Sequence, residues 1–197
     1  MARIPKLEYD DAGPEARAEF DKIVAEQGRL TNMKQSLGHS PAALRALMQW
    51  YPLRDTVQPF LGQRATTLFV HAISSATDCL ICSTFFRRYL IDSGENPDRL
   101  EFDDREQAVV DFGRQLVRDP NAVSDELFAR LAKYFQPNQI VALTAFGALM
   151  IATNVFNNAL RVDLDDYLQP YRRGGELDPE RSASSPAKTG TGSEPAR

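Results

Sequence analysis

The chain has 197 residues, 43% of them hydrophobic, and a formal net charge of -4. That composition is ordinary for a folded soluble protein, and its mild acidity gives no general attraction to nucleic acid or to an anionic membrane surface. The start MARIPKLEYDDAGPEARAEF lacks the apolar region of a secretory signal, and the longest apolar run, IVALTAFGALMIA at 140–152, is shorter than the roughly 18 residues of a membrane span.

In chain order, GPEARAEFDKIVAEQG spaces Ala16, Phe20, Ile23 and Val24 by threes and fours, which predicts an amphipathic helix with Pro14 near its start. HSPAALRALMQWY follows, with Ser40 as the cap and Pro41 at the first helical position, where no amide donor is needed. LGQRATTLFVHAISSA is apolar on several faces and reads as a central helix ending near Thr77. The next helix restarts at Asp78, whose carboxylate can cap it, and runs to about Ser93 before GENP. DDREQAVVDFGRQLVRD and SDELFARLAKYF, the second capped by Ser124, are two more helices, and QPNQIVALTAFGALMIATNVFNNALRVDLDDYL is one long helix or two. No strand alternation and no Gly-rich phosphate loop occurs, so the expected fold is all-α, a single helical domain over 1–173 with about six to eight helices. From 174 to 197, Gly, Ser, Pro and charges replace aromatic residues, and a disordered tail is expected.

Both cysteines, Cys79 and Cys82, fall in one Cys-x-x-Cys at the predicted start of a helix. Residues three apart in a helical turn share a side, so the two sulfurs can bond, and free amides at a helix start favour a thiolate. In a cytoplasmic, reducing setting such a pair is catalytic, redox-sensing, metal-binding or simply buried. Of the two histidines, His71 lies eight residues before Cys79 and could fold back toward it as a base, or it is a hydrogen-bonded core histidine; His39 reads as a surface or loop-packing residue. The histidines are 32 positions apart, without the short spacing of a zinc hairpin, and no Gly-x-Ser-x-Gly elbow is present.

TTLFVHAISSATDCLICSTFF resembles the core motif of the carboxymuconolactone decarboxylase and alkylhydroperoxidase D-like family, and the helix order over roughly 30–168 resembles it too. The resemblance implies an all-helical homo-oligomer, without a cofactor or metal, in which Cys82 attacks a hydroperoxide or disulfide and Cys79 resolves the product. The family pattern also has a glutamate twelve residues before the first cysteine and a histidine four after the second. Those positions are Thr67 and Phe86 here, and neither side chain can relay a proton near neutral pH. His71, one turn on from Thr67, is the expected replacement, with Thr67 orienting it and Phe86 joining the core. Asn154, Asn157 and Asn158 line the thiol cavity, pair between subunits or form a solvated stripe.

The expected function is therefore a thiol-dependent oxidoreductase, peroxidase-like or disulfide-reducing, supplied with electrons by a small thiol or a protein dithiol partner. A lactone decarboxylase of aromatic catabolism and a catalytically retired helical oligomer are the alternatives. Neither nucleic acid nor membrane is an expected partner, and the small-residue face of ALTAFGALMIA is expected to let helices of two subunits pack closely.

Overall fold

The start of each marked helix is set by the side chain the sequence places there. Ser40 accepts from the Ala43 amide at 3.4 Å to open α3 (Pro41–Met48), and Ser124 accepts from the Leu127 amide at 3.2 Å to open α8 (Asp125–Ala132). Asp103 and Glu106 form a reciprocal capping box at α7 (Asp104–Arg118). The structure, a computed structural model, describes residues 1–174, and among these every regular element is helical. The remaining helices are α1 (Pro14–Gln27), α2 (Asn32–Leu37), α4 (Trp50–Leu61), α5 (Gln63–Ala76), α6 (Leu80–Asp92) and α9 (Pro137–Leu160), with short 3-10 turns at Tyr9–Asp11, Pro120–Ala122 and Asp166–Tyr171. The expected tail lies, from 175 onward, outside the described residues.

Among the described residues there are nine α-helices, more than the expected six to eight. The additions are α2 and α4. Pro52 and Pro59 mask α4 in the sequence: Pro52 sits in the first turn, where no donor is required, but Pro59 lies inside the helix and removes one backbone bond. Tertiary packing on α9 makes good that loss.

Helix α5 is central and packs against α4, α6, α7 and α9. Phe69 on α5 stacks on Phe146 of α9 at 6.1 Å and on Phe112 of α7 at 6.4 Å, and Phe69 and Phe146 are wholly buried. Two glycines let the backbones come this close. A Cβ at Gly147 would stand 2.9 Å from both Phe69 Cζ and Leu116 Cδ1, and one at Gly113 3.0 Å from Phe69 Cδ2. Gly147 thus packs within its own chain, against α5 and α7.

QPNQIVALTAFGALMIATNVFNNAL forms one helix, α9. Contrary to the short-run expectation, this helix is long and apolar enough, by length and composition, to cross a membrane, because it continues past 152 through Thr153–Leu160. Here it packs against α4, α5, α7 and α8, and burial of Leu143, Phe146 and Met150 in the main core accounts for much of its apolar character.

Candidate active site at a helix corner

Between α5 and α6 the chain reverses in a Schellman motif. The Cys79 amide donates to Ser74 O at 3.0 Å and the Asp78 amide to Ser75 O at 3.2 Å, closing the last turn of α5. Asp78 sits at the left-handed position with φ 51°, a conformation that Asp tolerates better than most residues. Asp78 is therefore the corner residue and does not cap α6, as the sequence suggested. The cap position falls to Cys79 itself.

At that position Cys79 meets the unpaired amides of the first turn of α6. Both thiols are free and buried, Cys79 with 0% and Cys82 with 6% exposure. The Cys79 thiol is lowered to about 7, first by the neighbouring Cys82 thiol, which donates to the ionised sulfur, and further by the Cys82 and Ile81 amides and by Asn157, against the opposing effect of burial. No full capping bond forms, so the amides act as oriented dipoles rather than as close donors. Cys82 moves the other way, well above the usual thiol range, because a charge on it would sit beside Cys79 and in a desolvated place. The two sulfurs are thus driven in opposite directions, Cys79 toward the thiolate and Cys82 toward the thiol.

The amide of Asn157 on α9 bridges both sulfurs. Its Nδ2 lies 3.3 Å from Cys82 Sγ, 3.9 Å from Cys79 Sγ and 3.5 Å from Met33 Sδ, while its buried Oδ1 has no partner among the described residues. Asn154 and Asn158 brace the corner instead: Asn154 Nδ2 donates to Thr77 Oγ1 at 2.8 Å and Asn158 Nδ2 to Thr77 O at 2.8 Å. Of the three readings open for these residues, lining the thiol cavity fits Asn157. Its signal in the sequence is an amide on a largely apolar helix, where a buried polar group needs a partner.

Other predicted residues are not brought to the thiols. His71 lines a groove of about 730 Å³ with Leu68, Ala72, Ser75, Arg114 and Arg118, and neither cysteine borders that groove. Burial, then the charges of Arg87 and Arg114, lower its pKa to about 4. His71 thus opens on this groove, and the expectation that it serves the pair as a base gains no support from that placement. Thr67 does not orient it either, since its hydroxyl donates back to Gln63 O at 3.0 Å. Phe86 joins the core as expected, tilted on Trp50 at 5.9 Å and edge-on to Phe85 at 5.2 Å. His39, a loop-packing residue as read, holds Pro5 O at 2.9 Å through Nε2. Among the described residues no group of three or more His, Cys, Asp and Glu side chains converges on a metal position.

Among the described residues, an all-helical bundle built on a central α5, which turns through a dithiol corner into α6, defines an alkylhydroperoxidase D-like fold. The architecture is shared with the alkylhydroperoxidase AhpD core, an uncharacterized peroxidase-related protein from Ralstonia eutropha JMP134, at 20% identity and a TM-score of 0.69, covering 85% of this chain and 94% of that one. A peroxidase-related protein from Silicibacter sp. TM1040 matches at 17% identity and 0.67 over 83% and 93% of the two chains. The debrominase Bmp8, solved free and, as a cysteine-to-alanine variant, with 2,3,4-tribromopyrrole, matches at 18% identity, with TM-scores of 0.69 and 0.70 over 85% of this chain and 95% and 94% of those chains. No family model and no curated protein matches the chain.

Proposed function

We propose that the protein is a dithiol oxidoreductase that reduces an organic hydroperoxide. The observation that carries this reading is the pair of buried free thiols at the start of α6, one held toward the thiolate and the other holding the proton, with Asn157 donating to both. Such a pair supplies its own acid. The Cys79 thiolate attacks the terminal oxygen of ROOH, the O–O bond breaks, and the departing alkoxide takes the Cys82 proton, leaving ROH, a sulfenic acid on Cys79 and a thiolate on Cys82. Cys82 then attacks Cys79 sulfur and expels hydroxide, so two thiols are oxidised to one disulfide for each peroxide reduced. An external thiol or protein dithiol returns two electrons.

This order reverses the one the family resemblance implied. The electrostatic reason is first the Cys82 thiol, which donates to the Cys79 sulfur, and then the first-turn amides and Asn157, and it also explains how the reaction could run with Thr67 and Phe86 at the relay positions. The AhpD core and the other peroxidase-related protein share the fold and are consistent with hydroperoxide as acceptor. The debrominase shares it too, and a bromopyrrole is the second acceptor to try.

The test is single-turnover oxidation of the reduced protein by cumene hydroperoxide, followed by mass spectrometry. One Cys79–Cys82 disulfide is expected per peroxide consumed. Cys82→Ser should stop at a Cys79 sulfenic acid that dimedone traps, and Cys79→Ser should consume no peroxide at a comparable rate. Peroxide consumption that survives loss of both cysteines would sink the proposal; a sulfenic acid on Cys82 instead would reverse the roles.

A further inference from the structure

On α6, Cys82, Phe85 and Tyr89 stand three and four residues apart and so form one stripe, running from the buried thiol to a side chain that is 45% exposed. Phe85 and Tyr89 touch at 5.0 Å between ring centres. Two further phenols lie close to this stripe. Arg88 sits over both Tyr89, at 6.0 Å, and Tyr167, at 5.5 Å, in the 3-10 turn after α9, and Tyr51 stands at the start of α4 beside Trp50, which is tilted on Phe86 next to Phe85. Trp50 adjoins Tyr51 edge-on at 5.1 Å and carries a buried indole N–H with no acceptor among the described residues.

Cations lie over these rings. Lys34 Nζ is 5.5 Å and the Arg54 guanidinium 5.3 Å from the Tyr51 ring centre, while Arg29 is 4.2 Å and Arg88 5.5 Å from that of Tyr167. Arg54 is paired with Asp55 and Arg88 with Asp92. Lys34 is not so matched. It is only 3% exposed, its ammonium donates to the neutral amide oxygen of Gln27, and it enters no salt bridge among the described residues. The buried carboxylate Asp165 acts on it only at range and accepts from the Asn32 amide at 2.8 Å. A buried ammonium without a close counter-charge costs stability unless something pairs with it. Its neighbour Met33 touches the same Asn157 amide that bridges the thiols.

We propose that the Tyr51, Tyr89 and Tyr167 rings form the substrate vestibule of the dithiol and that it selects organic anions, a carboxylate on a flat apolar body, with Lys34 supplying the counter-charge. The rings stack on the flat body, and Lys34, backed by Arg54 and the unpaired Trp50 N–H, faces the carboxylate. The proposal rests on the dithiol reading only for the place where the ligand lies; its test reads binding and not turnover.

Trp50 is the only tryptophan, so its fluorescence reports on this wall. Benzoate and benzyl alcohol, titrated into the reduced full-length protein, differ in little besides the charge. Saturable benzoate binding that also slows alkylation of the Cys79–Cys82 pair is expected, with benzyl alcohol roughly tenfold weaker or more. Lys34→Met should weaken benzoate at least about fivefold and leave benzyl alcohol unchanged, and Arg54→Gln should weaken benzoate by a smaller factor. Should Lys34→Met fail to fold, Arg54→Gln decides in the same way. Equal binding of the two probes, no saturable binding of benzoate, or benzoate affinity unmoved by the substitutions overturns the proposal, whether or not the protein reduces peroxide.

Discussion

Cys79 and Cys82 are chemically identical and three residues apart, yet their surroundings drive their ionisation in opposite directions. Asn157 is the side chain best placed to show this, because its amide donates to both sulfurs and favours the thiolate. Asn157→Ala should raise the Cys79 pKa and slow iodoacetamide alkylation at pH 7 by roughly threefold to tenfold, measured as rate against pH. His71→Ala, by contrast, should leave that profile in place; a clear shift would return His71 to the site. The histidine has its own pH signature. With its pKa lowered from 6.5 to about 4, the unfolded chain binds more protons than the folded one between those values, so stability is present above 6.5 and is lost as pH falls toward 4. The decline of thermal midpoint with acid should therefore be shallower in His71→Gln over that window. Cys79, lowered from 9.0 to about 7, is likewise more protonated in the unfolded chain, and its contribution is full above 9 and lost as pH falls through 7. Both cysteines were legible as a candidate pair from spacing alone. Which way each sulfur is driven was not, because Asn157 and the burial that act on the pair come from segments distant in the sequence.

Among the elements, the corner between α5 and α6 does most to position the chemistry. Its left-handed residue is Asp78, where glycine would be free of Cβ strain, so Asp78→Gly should be neutral or stabilise by about 0.5–1 kcal/mol, whereas the β-branched Asp78→Val should destabilise by more than about 1 kcal/mol in urea titrations. A similar comparison tests the contact of α9 with α5 and α7. Gly147→Ala inserts a methyl group 2.9 Å from Phe69 and Leu116, and a loss of about 1–3 kcal/mol is expected; an unchanged midpoint would mean that the three helices are less tightly packed than described. The helices read from periodicity and from Ser40 and Ser124 caps form where those signals lie. Helix α4 was hidden by its two prolines, and the cap of α6 was placed one residue early, because an aspartate before a helix has two local uses and only the backbone reversal chooses between them.

For the whole molecule, one face of α9 remains uncovered in the single chain. Val141, Ala145, Ala148, Ala152 and Val155 fall along it at four- and three-residue spacing, with Val141 69% and Val155 58% exposed. We propose this stripe as the contact between copies in a homo-oligomer. Val141→Glu with Val155→Glu should lower the mass seen by light scattering while the helical circular dichroism is kept; a wild-type protein that is monomeric at working concentration would remove the proposal.

The sequence by itself determined the all-helical class, most helix positions and the dithiol motif, because caps, periodicity and cysteine spacing are local properties of neighbouring residues. Tertiary structure alone decided that His71 opens on a groove that neither cysteine borders, that Asn157 from a helix some 75 residues further on reaches both, and that Lys34 lies buried over the Tyr51 ring. Those facts depend on which faces of distant helices meet, and side-chain chemistry at one position carries no record of the partner that packing will bring to it.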